Sequence, residues 1–465
     1  MVRKNDKPAL FAGKLVFLMC LLLCAALFGT ACGVIPEETM PETTAESVPE
    51  TTEESAPETT QEFLVTDFVW PANTLRSDEV PFSHGRRSEW GAEAAAYPVL
   101  GSELLREQIL SVTFLDTLSD APDTAWDVSA GSDGSVLAWA KKNGELYDLF
   151  IAAEGGMDST DSCNTLFAGY VNAEQITFNG FFSTAGARDL SDLFLGCGKL
   201  TQVDVENLDT SAACDLSGMF YECEVLPKIN LSAMDTSMAQ DMSGMFYRCK
   251  KLESLDLSAF RTELVMDMSM MFYGCQALLD LNLQSFTTEL VADFSGMFYM
   301  CYSLESLDLS HFVTSSAVDL SNMFYACFEL REVDVSGFDT AAVKNMFAMF
   351  SCCYELQTLD LSNFNTAGVI DMSEMFYSCN KLSSVDVSSF DTSQVRDMSS
   401  MFQECTSLKE VDISGFDTGA VEDVSGMFFE CKAVSVKDVE QLDFSSVTKY
   451  DAFMNGSAWK KLFEG

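Results

Sequence analysis

Histidine is almost missing from this chain: His84 and His311 are the only two in 465 residues. They stand far apart, so a histidine metal site or catalytic triad has almost nothing to be built from. Basic residues are scarce as well, with 27 Lys and Arg against 71 Asp and Glu and a formal net charge of -44. Nucleic acids and anionic membrane surfaces bind clustered Lys and Arg, so this balance argues against both as partners. Tryptophan is rare and localised, because Trp70, Trp90, Trp126 and Trp139 all precede residue 160 and mark a compact folded segment there. Apolar content is not short: 48% is ample for a continuous core.

What is present in excess is repetition. Cys197, Cys223, Cys249, Cys275, Cys301, Cys327, Cys353, Cys379, Cys405 and Cys431 follow one another at an unbroken spacing of 26 residues. Met or Leu stands four residues before each cysteine and Phe three before, as in Met271-Phe272-Tyr273-Gly274-Cys275. A fixed period of about 20-50 residues implies units that stack to bury a face none can bury alone. In residues 267-292, Ser269 reads as an N-cap, and Met271, Phe272, Cys275 and Leu278 recur at helical spacing on one face. Leu281 and Leu283 alternate as in a strand, and Phe286 with Thr287-Thr288 closes the unit. The expected fold class is therefore an α/β solenoid of 26-residue coils over 166-465, each coil a parallel strand plus a short helix.

The amino-terminal third reads differently. Arg3, Lys4, Lys7 and Lys14 precede an apolar run from Leu15 to Phe28 that is short for a membrane span, as in an export signal over 1-31. It ends in Gly29-Thr30-Ala31-Cys32-Gly33, which resembles the bacterial lipobox, where cleavage before Cys32 leaves that cysteine to receive lipid. An ordinary secretory signal reads the same way and also places the protein outside the cell. Residues 32-62 repeat Pro-Glu-Thr-Thr at Pro41, Pro49 and Pro57 and lack basic residues, the composition of a disordered acidic linker.

Residues 63-165 read as a β-containing cap. Ser102 starts an expected short helix through Leu110, ahead of a strand at Val112-Leu115. Two further strands form a hairpin about Asn143-Gly144. Asp127, Asp133 and Asp148 lack the ligand spacing of a calcium loop and read as polar turn residues. Leu166-Phe167 and Ile176-Thr177-Phe178 form a degenerate first coil without the column cysteine.

The string Cys-x-x-Leu-x-x-Leu-x-Leu, preceded by Met-Phe and followed by Ser-x-Phe-x-Thr and Asp-Met-Ser, resembles the BspA family of bacterial leucine-rich-repeat surface proteins. The resemblance runs from about residue 100 to the end. It implies a leucine-rich-repeat-like solenoid on a lipid-anchored bacterial surface protein, without catalysis, that engages an extracellular protein or glycoprotein of a host or neighbouring cell. Where typical leucine-rich repeats place an Asn ladder, this chain has Phe260, Phe286, Phe312, Phe338, Phe364, Phe390 and Phe416, which points to a Phe-spined coil. Two other classes stand beside this one: a self-associating structural protein, and an enzyme with its site in 63-160, where no nucleophile, base and orienter grouping is visible.

Three columns are candidates for function. The strand column Asp204, Asp256, Asp308, Asp334, Asp360, Asp386, Asp412 and Asp438 points outward, and carboxylates about 4.8 Å apart repel. It is expected either to attract divalent cations or basic partners, or to serve as a solvated face that keeps a sheet from aggregating. Tyr221, Tyr247, Tyr273, Tyr299, Tyr325 and Tyr377 form a row suited to protein or glycan contact or to packing. The cysteines read as buried free thiols, since helices about 8-10 Å apart would hold them beyond disulfide reach. No dedicated metal site or cofactor is expected. A second aspartate ladder, Asp189 to Asp423 with Asn345 in one coil, is expected to accept backbone amides, with local distortion at Asn345 and Phe347.

Overall fold

The computed structural model describes residues 71-82, 87-432, 434-437, 439-455 and 458-463. The export signal, Cys32, the acidic linker, Trp70, His84, Asp438 and Ser457 lie outside them. The architecture is mixed α/β, mostly short strands and turns with few helices, in repeated units.

The first elements are helix α1 (Arg87–Ala95) and strands β1 (Ile109–Leu115), β2 (Trp126–Asp127), β3 (Val136–Asn143) and β4 (Leu146–Ala153). Next come β5 (Met157–Asp158), β6 (Gln175–Thr177), β7 (Phe182–Ser183) and β8 (Gln202–Val203). Six of them form one sheet in the order β2-β3-β4-β1-β6-β8. The hairpin β3-β4 forms as its alternation implies, but its loop is Gly144-Glu145: Asn143 pairs with Leu146, and Gly144 takes the left-handed φ of 63°. The helix expected from Ser102 is a 3-10 turn at Arg106–Gln108, because the chain enters β1 at Ile109 to pair in parallel with β4 and β6. The degenerate coil is present, with buried Tyr170 three residues after Phe167, where later coils carry cysteine.

In the repeats, the short strands fall where the Leu-x-Leu alternation puts them. Strands β9 (Ser254–Asp256), β10 (Asp280–Asn282), β11 (Ser306–Asp308), β12 (Glu332–Asp334), β13 (Glu410–Asp412) and β14 (Ser435–Lys437) pair in parallel as β9-β10, β11-β12 and β13-β14. Asp412 is matched by Lys437, so the strand column does not continue in register to Asp438.

The expected short helix is absent. Between Asp267 and Leu278 the chain makes linked turns, with Met271 N–H donating to Met268 O at 3.3 Å, Tyr273 to Met270 at 3.0 Å and Cys275 to Phe272 at 3.1 Å. The alternate amides reach into the next coil: Met270 to Ser295 O at 2.8 Å, Phe272 to Met297 O at 2.9 Å and Gly274 to Tyr299 O at 2.6 Å. Left-handed residues make this possible, since Met270 (φ 55°) and Gly274 (φ 71°) reverse the chain where an α-helix would spend every amide within itself. Ser269 is therefore no helix cap; its amide closes a turn on Asp267 Oδ1 at 2.8 Å.

This segment, rather than the strand face, carries the longest ladder. Parallel bridges link Ser162, Asp189, Asp215, Asp241, Asp267, Asp293, Asp319, Asn345, Asp371, Asp397, Asp423 and Lys449 without a break. The coil at Asn345 is not distorted: Phe347 N–H donates to Asn345 Oδ1 at 3.0 Å, and Asn345 Nδ2 reaches Asp319 Oδ2 at 3.1 Å. Carboxamide oxygen replaces carboxylate oxygen without loss of the turn.

Inside, the columns align. Met268, Met271, Phe272, Cys275, Leu278, Leu281, Leu283, Phe286 and Val291 are all buried. Phenylalanine rings from Phe194 to Phe428 stack from coil to coil with centroids 5.3 to 5.9 Å apart. The last described coil is closed by Phe453 packed against Trp459 and Phe463.

Candidate functional site

On the strand face, Asp256, Asp308, Asp334, Asp360 and Asp386 are exposed and Asp412 is half-buried. Each accepts the backbone amide two residues on, at 2.9 to 3.1 Å, and most also accept that residue's hydroxyl, as Ser310 Oγ donates to Asp308 Oδ1 at 2.6 Å. These serine hydrogen bonds hold the Asp256, Asp308, Asp360 and Asp386 carboxyls below the usual range, so each stays ionised near neutrality. Two open depressions lie side by side along this face. One of about 580 Å³ is lined by Asp308, Glu332, Asp334 and Asp360, the other of about 630 Å³ by Asp360, Asp386, Glu410 and Asp412. Neither lining includes a Lys, Arg or His. Among the described residues, no group of three or more His, Cys, Asp or Glu is placed to hold a metal ion, which gives the cation alternative no ligand set.

The tyrosine row is a ring stack. Tyr221, Tyr247, Tyr273, Tyr299 and Tyr325 follow one another with centroids 4.1 to 4.5 Å apart. Tyr221 and Tyr247 are buried, whereas Tyr273, Tyr299 and Tyr325 are half-buried. Their faces are spent on one another, so only ring edges and hydroxyls face outward, and burial raises the Tyr247 and Tyr299 hydroxyls above their ordinary titration range. A second stack, Tyr302, Phe328 and Tyr354 with centroids 4.6 and 4.9 Å apart, escaped the sequence reading. Its signal was an aromatic one position after the column cysteine in three successive coils.

Helix α1 covers the start of the tyrosine column. Arg87 lies 2.6 Å from Asp192 and within reach of Ser217 Oγ at 3.2 Å, with its guanidinium over the Tyr221 ring at 5.5 Å. Burial still pushes the Asp192 carboxyl up to about 6, against the pull of Arg87. Gly91 and Gly196 touch backbone to backbone, where a Cβ on Gly196 would stand 2.7 Å from the Gly91 Cα.

The column cysteines are buried free thiols, although the reason differs from the one expected. The segments that carry these cysteines are linked turns rather than helices, and what occupies each thiol is a carbonyl. Cys275 Sγ donates to Phe246 O at 3.2 Å, and Cys301 to Phe272 O at 3.2 Å. Burial pushes the Cys275 and Cys327 thiols up to about 12, far from nucleophile or metal chemistry at neutral pH. In the cap, Asp127 spends both oxygens on Ser129 and Gly134 amides, as a turn residue does.

The family described as Mycoplasma protein of unknown function, DUF285, matches residues 162–278, 188–306, 252–359, 279–384 and 352–462. The chain belongs to this family. The overlapping DUF285 matches fall on the stacked coils, each match being longer than four coils of 26 residues. No curated protein matches the chain. Among the described residues no helix is long and apolar enough to cross a membrane.

Proposed function

We propose that this DUF285 protein is an exported binding protein of the bacterial surface, lipid-anchored through Cys32, whose repeats form a leucine-rich-repeat-like solenoid of the BspA type. Its partner is an extracellular protein or glycoprotein that presents basic side chains to the strand face. One observation carries this reading: the two adjoining depressions between Ser306 and Asp412 are lined by carboxylates, of which Asp308, Asp360 and Asp386 are held ionised by serine hydrogen bonds, and neither lining includes a basic residue. Such a face is complementary to cationic segments, and the field of a chain of net charge -44 steers them toward it.

The test is capture of basic extracellular proteins by residues 63-465, compared with a variant carrying Asp308→Asn, Asp334→Asn and Asp360→Asn. Capture should fall at least about tenfold and weaken with salt; equal capture by both forms ends the reading. Labelling with radioactive palmitate, lost in Cys32→Ala, tests the anchor.

Self-association has its own supporting observation. Met238, Leu264, Met266, Leu290 and Val318 are 40 to 51% exposed on neighbouring coils. Sedimentation at rising concentration separates the two readings, since a partner-binding monomer keeps one sedimentation coefficient.

A further inference from the structure

The coils packed against α1 and those near the far end share a pattern at one interval. Seven 26-residue coils, 182 residues, carry Asp192 to Glu374, Ser217 to Ser399 and Glu222 to Glu404. At the first place the chain supplies the cations. Arg87 sits on Asp192 at 2.6 Å and on Ser217 at 3.2 Å, and Arg248 Nη1 lies 3.2 Å from Glu222 Oε1.

At the second place neither pairing recurs among the described residues, and the position of Arg248 is taken by Glu430. Among the described residues no Lys or Arg pairs with Glu374, whose half-buried carboxyl is flanked by Asp371 and Asp397 and is pushed up to about 7 by burial. Glu404 is partly engaged by Ser378 Oγ at 2.7 Å and the Tyr377 hydroxyl at 3.3 Å.

We propose that Glu374, with Ser399 and Glu404, receives the guanidinium of an arginine carried by a partner polypeptide, as Asp192 and Ser217 receive Arg87 within this chain. The inference adds a second contact to the binding surface proposed above and rests on that reading. The occupant is an extended side chain rather than a packed helix. Ser378 stands where Gly196 admits the α1 backbone, so a partner backbone stays further out. A carboxylate and a hydroxyl on adjacent coils suit the planar fork of arginine better than the point charge of lysine.

The full chain, labelled with carbon-13 at the glutamate carboxyls, would be titrated with N-acetyl-arginine-methylamide. The Glu374 signal is assigned by Glu374→Gln. The expected result is a saturable shift of that signal, about fivefold tighter for the arginine probe than for N-acetyl-lysine-methylamide. In Glu374→Gln the Glu404 carboxyl should show no arginine-dependent shift, and the Glu374 shift should be retained in Asp192→Asn. An absent shift, an equal response to lysine, or dependence on Asp192 overturns the inference. If partner capture still depends on the strand-face aspartates, the inference fails alone. If arginine shifts Glu374 while capture ignores those aspartates, the strand-face reading fails alone.

Discussion

Thr314 donates its hydroxyl to Asp339 O at 2.8 Å, and Thr288 Oγ1 accepts the Val313 amide at 2.8 Å, in a column of hydroxyl donors that runs from Thr184 to Thr418. From Thr210 to Thr418 these threonines are buried. They do with a hydroxyl what an Asn ladder does with an amide, binding the backbone of the next coil from inside. Replacing Thr314 by Val keeps the shape and strands the Asp339 carbonyl, so denaturant melts should show a loss of about 1-3 kcal/mol, with Thr314→Ser close to wild type. Glu374 supplies a pH signature. Its folded value of about 7 exceeds the unfolded value of 4.5, so the native state holds the extra proton and stability falls as pH rises between the two. Glu374→Gln should remove that slope and stabilise the protein above pH 7 by about 1-3 kcal/mol in melts at pH 5 and pH 8.

The elements are held by a few buried links. Arg106 is 1% exposed and donates to Thr165 O at 2.7 Å, Ala168 O at 2.8 Å and Asp78 Oδ2 at 2.9 Å, tying the segment before α1 to the first coil. Arg106→Met leaves those carbonyls without a donor in a dry site and should cost about 3 kcal/mol, with amide exchange accelerating first in α1. The linked-turn segment explains why helical spacing misled. Apolar residues three and four apart face one side of a helix, and the same intervals face inward along a chain of turns whose left-handed links fall between them. Glycine marks some of those links, as at Gly244 and Gly274, but Met270, Glu374 and Ala348 occupy others, so no uniform letter betrays them.

For the whole molecule, stacking makes register the governing quantity. From Asp189 to Lys449 the long ladder joins residues 26 apart, so excising residues 293-318 should leave a shorter folded stack. Excising 294-318 instead moves every inward column by one position against its neighbour. Circular dichroism and urea melts should show cooperative unfolding for the first deletion and its loss for the second. The same register aligns carboxylates into depressions on one face and spends tyrosine faces on one another elsewhere, which is why the acidic face carries the proposed function.

The period by itself determined that these coils stack, which residues line the interior and which columns face out, because any other arrangement would leave the Met, Phe, Leu and Cys columns in water. The strand positions and the hairpin were legible for the same reason, through alternation. Tertiary structure alone decided that the Met-Phe segment is a run of turns, since its amides find partners only when the next coil is in place. It alone also decided that Arg87 meets Asp192 across 105 residues while, among the described residues, no Lys or Arg reaches Glu374 seven coils on.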